Sequence, residues 1–304
     1  MPIESPSTLP DTVSVVIPAW NAAGTLGRAL DSVAAQTRPP DEVILVDDGS
    51  TDGTAAVAAR HALGVRVVTQ PNAGAAHARN QGAALARGTL LAFLDADDVW
   101  HPDKLAAQLA VFAAHPATAL CATTFAYFPT EAPPPLDAPG SGRVTLVRDF
   151  RDLLRDYYLG TPTVMLRRDT FAACGGFDPA LRFGEDVDLW LRAGYGRLVA
   201  RLDRQLVAVS RSAASLTGGA GGEVEESDLR VLDRLAARHP DFMAAHGDAV
   251  RRARAVVHTR RGANLLTARD ARSARRHFAT ALREAPGYGR AWYLWLRSWA
   301  PVKG

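Results

Sequence analysis

The stretch Val13-Ser14-Val15-Val16-Ile17-Pro18-Ala19-Trp20-Asn21 begins with residues suited to a buried strand and ends in residues suited to a turn. Three further apolar runs follow it, separated by segments with the length and pattern of helices. The predicted strands are Val13–Ile17, Glu42–Val46, Val65–Thr69 and Leu90–Leu94, and the predicted helices are Thr25–Gln36, Thr51–Leu63 and Ala75–Arg87. This alternation is typical of a parallel sheet covered by helices, so an α/β domain is predicted.

Acidic residues follow two of these strands, at Asp47-Asp48-Gly49-Ser50 and at Asp95-Ala96-Asp97-Asp98. Ligands of parallel sheets bind beyond the carboxyl ends of the strands, so both groups are candidates for a binding site. Carboxylates crowded into short loops repel one another unless a cation offsets their charge. In an extended segment Asp95 and Asp97 lie on the same side and can face one ligand. The pattern therefore indicates an ion such as Mg²⁺ or Mn²⁺ held against a diphosphate.

The same aspartates have a second interpretation as turn formers and helix caps. Asp48 or Ser50 could cap a helix that begins near Thr51, and Asp98 could cap one that begins near Pro102. Capping is expected to account for some of them. Two acidic loops at neighbouring strand ends nevertheless favour a ligand site over capping alone.

The second half of the chain is less regular. Its proline-rich stretch, Pro129–Gly142, is predicted to be a surface loop. The elements predicted after it are a strand near Thr163–Leu166, a loop through Gly175-Gly176-Phe177, a helix over Glu185–Arg192 and a strand near Gln205–Val209. Four glycines within Gly218–Gly222 predict a linker or a mobile flap. We therefore expect two domains, at residues 1–217 and 223–304.

The tail after this glycine-rich stretch has a helical pattern throughout. Small and aromatic residues recur there at the offsets of one tetratricopeptide-like helical hairpin: Gly262, Leu265, Ala274, Phe278, Ala281 and Pro286. A single hairpin cannot bury its own apolar face, so it is expected to pack on other helices, on the first domain or on another chain. An oligomer is therefore left open. The last segment carries Trp292, Trp295 and Trp299, for which core packing, membrane contact and partner contact are all compatible interpretations.

Composition excludes several classes of protein. With 304 residues and 47% hydrophobic content, the chain is expected to fold rather than remain disordered. Its apolar runs are too short to cross a bilayer, and its first eleven residues lack the pattern of a secretory signal, so a cytoplasmic location is expected. Cys121 and Cys174 are too few for a disulfide framework and are expected to be free thiols.

Charge is distributed unevenly along the chain. Residues 225–300 carry 15 arginines against 8 acidic residues, whereas residues 1–224 are net acidic in a chain of overall charge +3. The basic region has no recognisable nucleic-acid motif, so nucleic acid is not expected as a partner. Instead, a basic and aromatic tail predicts peripheral contact with acidic lipid head groups at the inner face of a membrane.

A series of motifs carries a resemblance to a known family. The first four are Val13–Asn21, then Val46-Asp47-Asp48-Gly49-Ser50-Thr51-Asp52, then Asn72-Ala73-Gly74 with Ala78-Arg79-Asn80, then Phe93-Leu94-Asp95-Ala96-Asp97-Asp98. Later come Gly175-Gly176-Phe177-Asp178 and Gly184-Glu185-Asp186-Val187-Asp188-Leu189-Trp190-Leu191-Arg192. Together they closely resemble the family 2 glycosyltransferases with the GT-A fold, over roughly residues 12–217. The helical tail lies outside the resemblance.

The resemblance implies an inverting enzyme that moves a sugar from a nucleoside diphosphate donor, with a UDP-sugar as the first expectation, to a hydroxyl of a saccharide or a lipid-linked saccharide. Such a reaction needs a base on the acceptor side and positive charge for the departing diphosphate. By likeness, the donor would be bound by Pro18, Asn21, Asp47, Asp48, Arg79, Asp95 and Arg211, and the Mg²⁺ or Mn²⁺ ion by Asp97 with Asp95 and Asp98. The expected base is Asp186, with Glu185 beside it. Phe177, Asp178 and Trp190 would shape the acceptor pocket, with core packing as the alternative for Trp190.

One departure from the family pattern bears on the metal. Many relatives place a histidine shortly before a Ser-Leu-Ser/Thr segment as a further ligand, but Val209–Thr217 contains none. Arg211 is expected either to supply charge to the diphosphate there or to be an ordinary surface residue. Two other functions compete with this interpretation. The chain could be an inactive GT-A-like scaffold whose tail recruits a partner, whereas a dinucleotide-dependent oxidoreductase is disfavoured because no Gly-x-Gly-x-x-Gly follows the first strand.

Overall fold

The computed structural model describes residues 10–129, 138–155, 159–211 and 222–299. Nine strands in these residues form one mixed sheet: β1 (Val13–Ala19), β2 (Glu42–Asp47), β3 (Arg66–Thr69), β4 (Leu90–Phe93), β5 (Val99–Trp100), β6 (Thr118–Pro129), β7 (Val144–Val147), β8 (Val164–Arg167) and β9 (Leu198–Arg211). The helices are α1 (Leu26–Ala34), α2 (Thr54–Arg60), α3 (Ala75–Leu85), α4 (Lys104–Ala114), α5 (Phe150–Arg155), α6 (Arg168–Ala173), α7 (Glu185–Gly194), α8 (Glu223–Arg238), α9 (Pro240–Thr267), α10 (Ala271–Glu284) and α11 (Gly289–Arg297). The strand order is β3-β2-β1-β4-β8-β6-β9-β5, and β7 pairs with β9 off this path.

The first four strands appear where the sequence predicts them. β1 lies between β2 and β4 and is parallel to both, and β2 is parallel to β3. Every residue of β1 is buried because helices cover both faces of the sheet. One face packs against α1, α2 and α4, and the other against α3, α5 and α7. This arrangement brings the carboxyl ends of β1, β2 and β4 to the same edge of the sheet, as parallel pairing requires.

The rest of the sheet is mixed. β8 pairs antiparallel with both β4 and β6, and the two long strands β6 and β9 run parallel to each other. The sequence predicts β8 and part of β9, but β9 is longer because β7 and β5 pair along it, and β5, β6 and β7 are not predicted at all. Of the two predicted loops, residues 130–137 and 218–221 lie outside the described residues.

The helical tail that the sequence predicts is present. α8 and α9 contribute Val231, Leu232, Leu235, Val250 and Val257 to the hydrophobic cluster that also holds α5 and α7. α9 and α10 form the predicted hairpin, in which Gly262 faces Phe278: a Cβ at position 262 would lie 2.5 Å from the ring. The boundary between residues 217 and 223 as a division into two domains stays a prediction. Among the described residues, none of the helices combines the length and the apolar character needed to cross a bilayer.

Candidate active site

The loops after β1 and β2 are tied together at the edge of the sheet. Asn21 adopts a left-handed backbone conformation with φ 48°, which asparagine tolerates better than most residues. Its side-chain oxygen accepts from the Thr51 amide at 2.9 Å, and its own amide donates to Ser50 Oγ at 2.9 Å. Asp47 completes this link, because its Oδ1 accepts from the Ser50 amide at 3.1 Å. Asn21 and Asp47 therefore fix the positions of the loops after β1 and β2 relative to each other.

Asp48 organises the loop that leads into α3. Its carboxylate is buried and accepts from the side-chain amide of Gln70 at 2.6 Å and from the amides of Ala73 and Gly74 at 2.9 and 2.8 Å. Asp48 thus does not cap α2, which begins at Thr54, where the carboxylate of Asp52 accepts from the Thr54 amide instead. Pro18 is likewise buried, opposite Val46 of β2. The predicted contacts of Pro18 and Asp48 with a donor stay predictions.

A turn after β4 carries Asp95, Asp97 and Asp98, which we call the acidic turn. Asp98 is buried, and its Oδ1 accepts from the Ser210 amide of β9 at 2.7 Å, so it ties the turn to β9 rather than capping α4. Burial, together with the charge of Asp95, raises the pKa of Asp97 to about 6 and raises the pKa of Asp98 as well. Both shifts mean that the protein surroundings favour the neutral forms of these two carboxyls, a preference that a bound cation would reverse.

Arg79 of α3 connects the acidic turn to α7. Its guanidinium is buried, donates from Nη2 to Asp95 Oδ1 at 2.7 Å, and donates from Nη1 to Glu185 Oε1 at 2.8 Å. It also lies 5.3 Å from the centre of the Phe177 ring. Although burial opposes its charge, the two carboxylates raise the pKa of Arg79 further. Both charged contacts are internal, and the predicted contact of Arg79 with a diphosphate stays a prediction.

Glu185 and Asp186 form the first turn of α7, next to Gly184 in a left-handed conformation. Asp186 Oδ2 accepts from Thr161 Oγ1 at 3.1 Å, and its Oδ1 accepts from the Val187 amide at 2.8 Å. Burial raises the pKa of Asp186, and burial together with the neighbouring Asp186 raises the pKa of Glu185 to about 7. A carboxylate with a raised pKa is a stronger proton acceptor than an exposed one. The raised pKa values suit a base at this turn, and the roles of Asp186 and Glu185 as base candidates stay predictions.

Two of the residues predicted to contact an acceptor are core residues. Phe177 and Trp190 are each 1% exposed and pack edge-to-face at 5.6 Å, with Phe93 and Phe171 beside them. Neither ring offers a free face on which a sugar could stack. Trp190 is therefore a core residue, as its alternative interpretation predicts. Phe177 lies in the same buried cluster, and its role in shaping an acceptor pocket stays a prediction.

Asp178 is engaged by the helical tail. Its Oδ2 accepts from Arg234 of α8 at 2.7 Å, and its Oδ1 accepts from the Ala180 amide, which together lower its pKa. Asp188 of α7 makes a second contact with α8. Its side chain is 2% exposed and contacts Arg238 of α8 as well as Arg192 of α7. The structure thus gives Asp178 a role in docking α8, and a role toward an acceptor stays a prediction.

Arg211 is exposed at the end of β9, one residue after the Ser210 amide that binds Asp98. Its guanidinium lies 3.9 Å from the centre of the Tyr127 ring. The segment that follows, residues 212–221, lies outside the described residues. The predicted contact of Arg211 with a diphosphate stays a prediction.

The acidic turn suits a divalent cation that is bound together with a substrate, rather than a metal site that the protein completes by itself. In the part of the chain that the structure describes, no group of three His, Cys, Asp or Glu side chains is arranged to hold a metal. Asp95 is paired with Arg79 and Asp98 with the Ser210 amide, so Asp97 is the member best suited to ligate. Mg²⁺ characteristically binds through one or two carboxylates and completes its shell with substrate phosphates and water. The donor set therefore fits an ion brought together with a diphosphate.

Two residues of the site were not predicted from the sequence. Thr161, in a 3-10 turn before β8, holds Asp186. Asn80 holds the loop before α7, because its Nδ2 donates to the Phe177 carbonyl at 2.8 Å and its Oδ1 accepts from the Phe177 amide at 2.9 Å. Asn80 belongs to a quoted motif, which is a signal for it, whereas no pattern in the sequence singles out Thr161.

Comparison with known families decides the class of protein. The model of the family described as Glycosyl transferase family 2 matches residues 14–172, more than half of the chain. The chain belongs to glycosyltransferase family 2. The succinoglycan biosynthesis protein ExoU of Rhizobium meliloti (strain 1021) is 32% identical over 277 residues, which cover 76% of this chain and 78% of that protein. For six other curated relatives, the chain spans only 27% to 61% of their length.

Solved structures of other proteins share the fold of this family 2 chain. TarS 1-349 of S. aureus in complex with UDP-GlcNAc has a TM-score of 0.67 and 18% identity, over 94% of this chain and 89% of that one. The mannosyltransferase PcManGT of Pyrobaculum calidifontis in complex with GDP-Man and Mn²⁺ has a TM-score of 0.62 and 22% identity, over 98% of this chain and 83% of that one. These likenesses confirm the predicted GT-A fold, and they include the helical tail because they cover nearly the whole chain.

Proposed function

We propose that this family 2 chain is an inverting glycosyltransferase that moves a sugar from a nucleoside diphosphate donor to a hydroxyl of a saccharide or lipid-linked saccharide. The observation that carries the proposal is the position of buried Arg79 between Asp95 of the acidic turn and Glu185 of α7. This contact joins the acidic turn to the first turn of α7, which supports a donor side and an acceptor side within one site. The complexes of TarS with UDP-GlcNAc and of PcManGT with GDP-Man support a donor of this class, for which a UDP-sugar is our first choice.

On the donor side, the residues at the carboxyl ends of β1, β2 and β4 would bind the nucleotide and the sugar. Asn21, Asp47 and Asp48 shape the loops there, and Asp95 has one carboxylate oxygen beyond the one bonded to Arg79. Asp97 would hold Mg²⁺ or Mn²⁺, with Asp95 and Asp98 nearby. When bound, the ion neutralises the charge that develops on the leaving diphosphate. The Mn²⁺ complex of PcManGT supports this choice of ion.

On the acceptor side, Asp186 would remove the proton from the attacking hydroxyl. In the part of the chain that the structure describes, the side chain that donates to Asp186 is the hydroxyl of Thr161, a neutral group, whereas Glu185 accepts from the charged guanidinium of Arg79. Because the hydrogen bond to Arg79 engages Glu185 in the link to the acidic turn, we choose Asp186 as the base. Direct attack assisted by one base inverts the configuration of the sugar carbon.

The acceptor belongs, in our proposal, to the biosynthesis of a surface polysaccharide. The similarity to ExoU, named for succinoglycan biosynthesis, supports this class. Sugar chains of this kind are assembled by successive transfers to a hydroxyl of the growing saccharide. We place the reaction in the cytoplasm, where nucleotide sugars serve as donors.

The proposal is tested by donor binding and turnover on the full chain. A thermal-shift panel of UDP-, GDP- and dTDP-sugars, with and without Mn²⁺, should identify a donor that raises the melting temperature, and more so with the ion. That donor should be hydrolysed slowly without acceptor, and Asp97→Asn should abolish the effect of Mn²⁺. Absence of both binding and hydrolysis across the panel would refute the proposal and leave the inactive scaffold, for which Asp97→Asn and Asp186→Asn would preserve the cellular phenotype.

A further inference from the structure

The last helix exposes a concentrated set of large apolar side chains. Among the described residues, six large hydrophobic side chains are more than two-fifths exposed, and four of them lie within eight positions of α11 and its end. These four are Trp292 (45% exposed), Tyr293 (62%), Leu296 (61%) and Trp299 (59%), which we call the α11 face. A concentration of this kind marks an interaction surface rather than ordinary surface composition.

The α11 face is one side of an amphipathic helix. Trp292 and Leu296 are four residues apart and lie on one face of α11, and Trp299 follows two residues after the helix ends at Arg297. The opposite face packs on the tail, where Ala291 is fully buried in a cluster with Ala255 of α9 and Ala281 of α10. The inner side of α11 is therefore covered by the chain itself, and among the described residues its outer side is exposed.

The indole rings of the α11 face are held in place. Trp292 Nε1 donates to the Pro286 carbonyl at 2.8 Å, and the rings of Trp295 and Trp299 meet edge-to-face at 6.1 Å. The guanidinium of Arg275 lies 3.9 Å from the centre of the Trp299 ring and donates to the Ser298 carbonyl. Because these rings are already ordered, little conformational entropy is lost when they meet another surface.

The charge around the α11 face is positive. Residues 270–299 contain six arginines and two acidic residues. Asp270 caps α10 by accepting from the Ser273 amide, and Glu284 is paired with Arg254, so both acids are engaged within the tail. Arg290 and Arg297 are exposed on α11 itself. An isologous dimer through this face would bring these arginines against their own copies, whereas an anionic surface would attract them.

We propose that the α11 face docks this chain on an anionic phospholipid bilayer. The helix lies in the plane of the interface, with its tryptophans, Tyr293 and Leu296 at the level of the head groups and upper acyl chains. Arg290 and Arg297 contact head-group phosphates. Tryptophan and tyrosine favour this boundary because their rings are apolar while their N–H or O–H groups reach water. Binding strength rises with the apolar area inserted and with the attraction of arginine to anionic lipids.

The test is flotation of the full chain with vesicles of phosphatidylcholine alone and with vesicles that also contain phosphatidylglycerol. We expect the chain to float with the phosphatidylglycerol vesicles and to be released from them by high salt. The double variant Tyr293→Ser/Leu296→Ser should lower the partition coefficient at least about tenfold, since it removes two apolar side chains from the interface. Arg290→Glu/Arg297→Glu should abolish the preference for phosphatidylglycerol.

The matched control is Trp20→Ser, because Trp20 is as exposed as Trp299 but follows β1, outside the tail. It should float as the parent chain does. The proposal is overturned if the parent chain does not float, or if Tyr293→Ser/Leu296→Ser floats equally well. It is also overturned if the lipid-free chain is a dimer that this double variant converts to a monomer, since a second copy would then cover the face. Flotation does not depend on catalysis, so its failure leaves the proposed reaction intact.

Discussion

Arg79 contacts carboxylates that lie 16 and 106 positions away in the chain. Its side chain is 7% exposed, and that of Glu185 is 15% exposed. Removing the guanidinium leaves two carboxylates without their counter-charge, so Arg79→Met should lower the free energy of unfolding by about 3–5 kcal/mol. Urea unfolding followed by circular dichroism measures this change.

An exposed ion pair provides the control for Arg79→Met. Arg87 contacts Glu42 at 3.3 Å, but the Arg87 side chain is 81% exposed. Arg87→Met should cost less than about 1 kcal/mol, because solvent screens such pairs. Adding Glu185→Gln to Arg79→Met should restore part of the lost stability by removing one unpaired charge. Equal unfolding midpoints for Arg79→Met and Arg87→Met would contradict the structural role given to Arg79.

Asp186 and Glu185 are distinguished by their partners, and their amide variants should differ in the same way. Asp186→Asn keeps the size of the side chain but removes its basicity, so kcat should fall about a hundredfold or more while donor binding is retained. Glu185→Gln keeps an oxygen that can accept from Arg79, and its kcat should fall about tenfold or less. Steady-state transfer assays measure both. The reverse order of losses would make Glu185 the base.

Lys104 gives the chain a pH-dependent stability that is separate from the site. It is fully buried, 4.0 Å from the centre of the Trp100 ring, and its Nζ donates to Gln108 at 2.8 Å. Burial lowers the pKa of Lys104 to about 7. Between this pH and the ordinary lysine pKa, the unfolded chain holds a proton here that the folded chain lacks, so stability rises with pH.

The slope that Lys104 adds should be at most about 1.4 kcal/mol per pH unit from pH 7 to 9. Lys104→Met removes the titrating amine, so its free energy of unfolding should rise less steeply over that interval. Loss of the hydrogen bond to Gln108 changes the free energy of unfolding of the variant by the same amount at every pH. The difference in slope between the two chains is therefore unaffected. Urea unfolding at several pH values measures both slopes, and parallel curves for the two chains would show that Lys104 stays charged in the folded state.

At the level of residues, the sequence predicts candidate site residues but not what each one contacts. The acidic turn, Asp48 and the pair at the start of α7 follow strand ends or a helix start, which local patterns reveal. The bonds of Arg79 to Glu185 and of Thr161 to Asp186 join distant segments, and no local pattern encodes them. Trp190 was ambiguous for the same reason, since only packing separates a buried indole from a stacking platform.

Among the elements, the turn after β2 depends on Gly49. Its φ is +76°, and a Cβ there would lie 2.9 Å from the Asn72 amide nitrogen in the loop after β3. Gly53, at the start of α2, has φ +88° but no atom near a Cβ. Gly53→Ala should therefore cost about 1 kcal/mol for the left-handed backbone alone, and Gly49→Ala should cost distinctly more.

Urea unfolding of the two alanine variants separates backbone strain from the close approach of the two loops. Because the loop after β3 is held by Asp48, Gly49→Ala should also weaken donor binding in a thermal-shift titration, whereas Gly53→Ala should bind as the parent chain does. Equal losses of stability for both variants would mean that the loops can separate without cost.

The strands differ in how well local sequence patterns predict them. β1, β2 and β4 are buried on both faces, which produces continuous apolar runs that a reader can find. β9 contains arginines, an aspartate and a glutamine among its 14 residues, because its two ends pair with different short strands and its exposure changes along its length. The extent of such a strand is set by its pairing with distant strands, so local periodicity predicts only Gln205–Val209 of β9.

At the scale of the whole molecule, the tail is attached through both apolar and charged contacts. α8 and α9 share a hydrophobic cluster with α5 and α7, and Asp188 of α7 binds Arg238 of α8. The composition shift near residue 222 predicts a boundary but cannot reveal this shared core. A chain assembled in this way should unfold as one cooperative unit, although its sequence divides into two parts.

Leu232 of α8 tests that cooperativity, because it is fully buried in the cluster that also contains Trp190 and Phe150. Leu232→Ala should cost about 2–5 kcal/mol, whereas Leu296→Ala, at an exposed position, should cost less than about 0.5 kcal/mol. Unfolding followed by far-UV circular dichroism and by tryptophan fluorescence should give coincident transitions that Leu232→Ala shifts together. If the tail were an independent domain, the two probes would separate and Leu232→Ala would move only one of them.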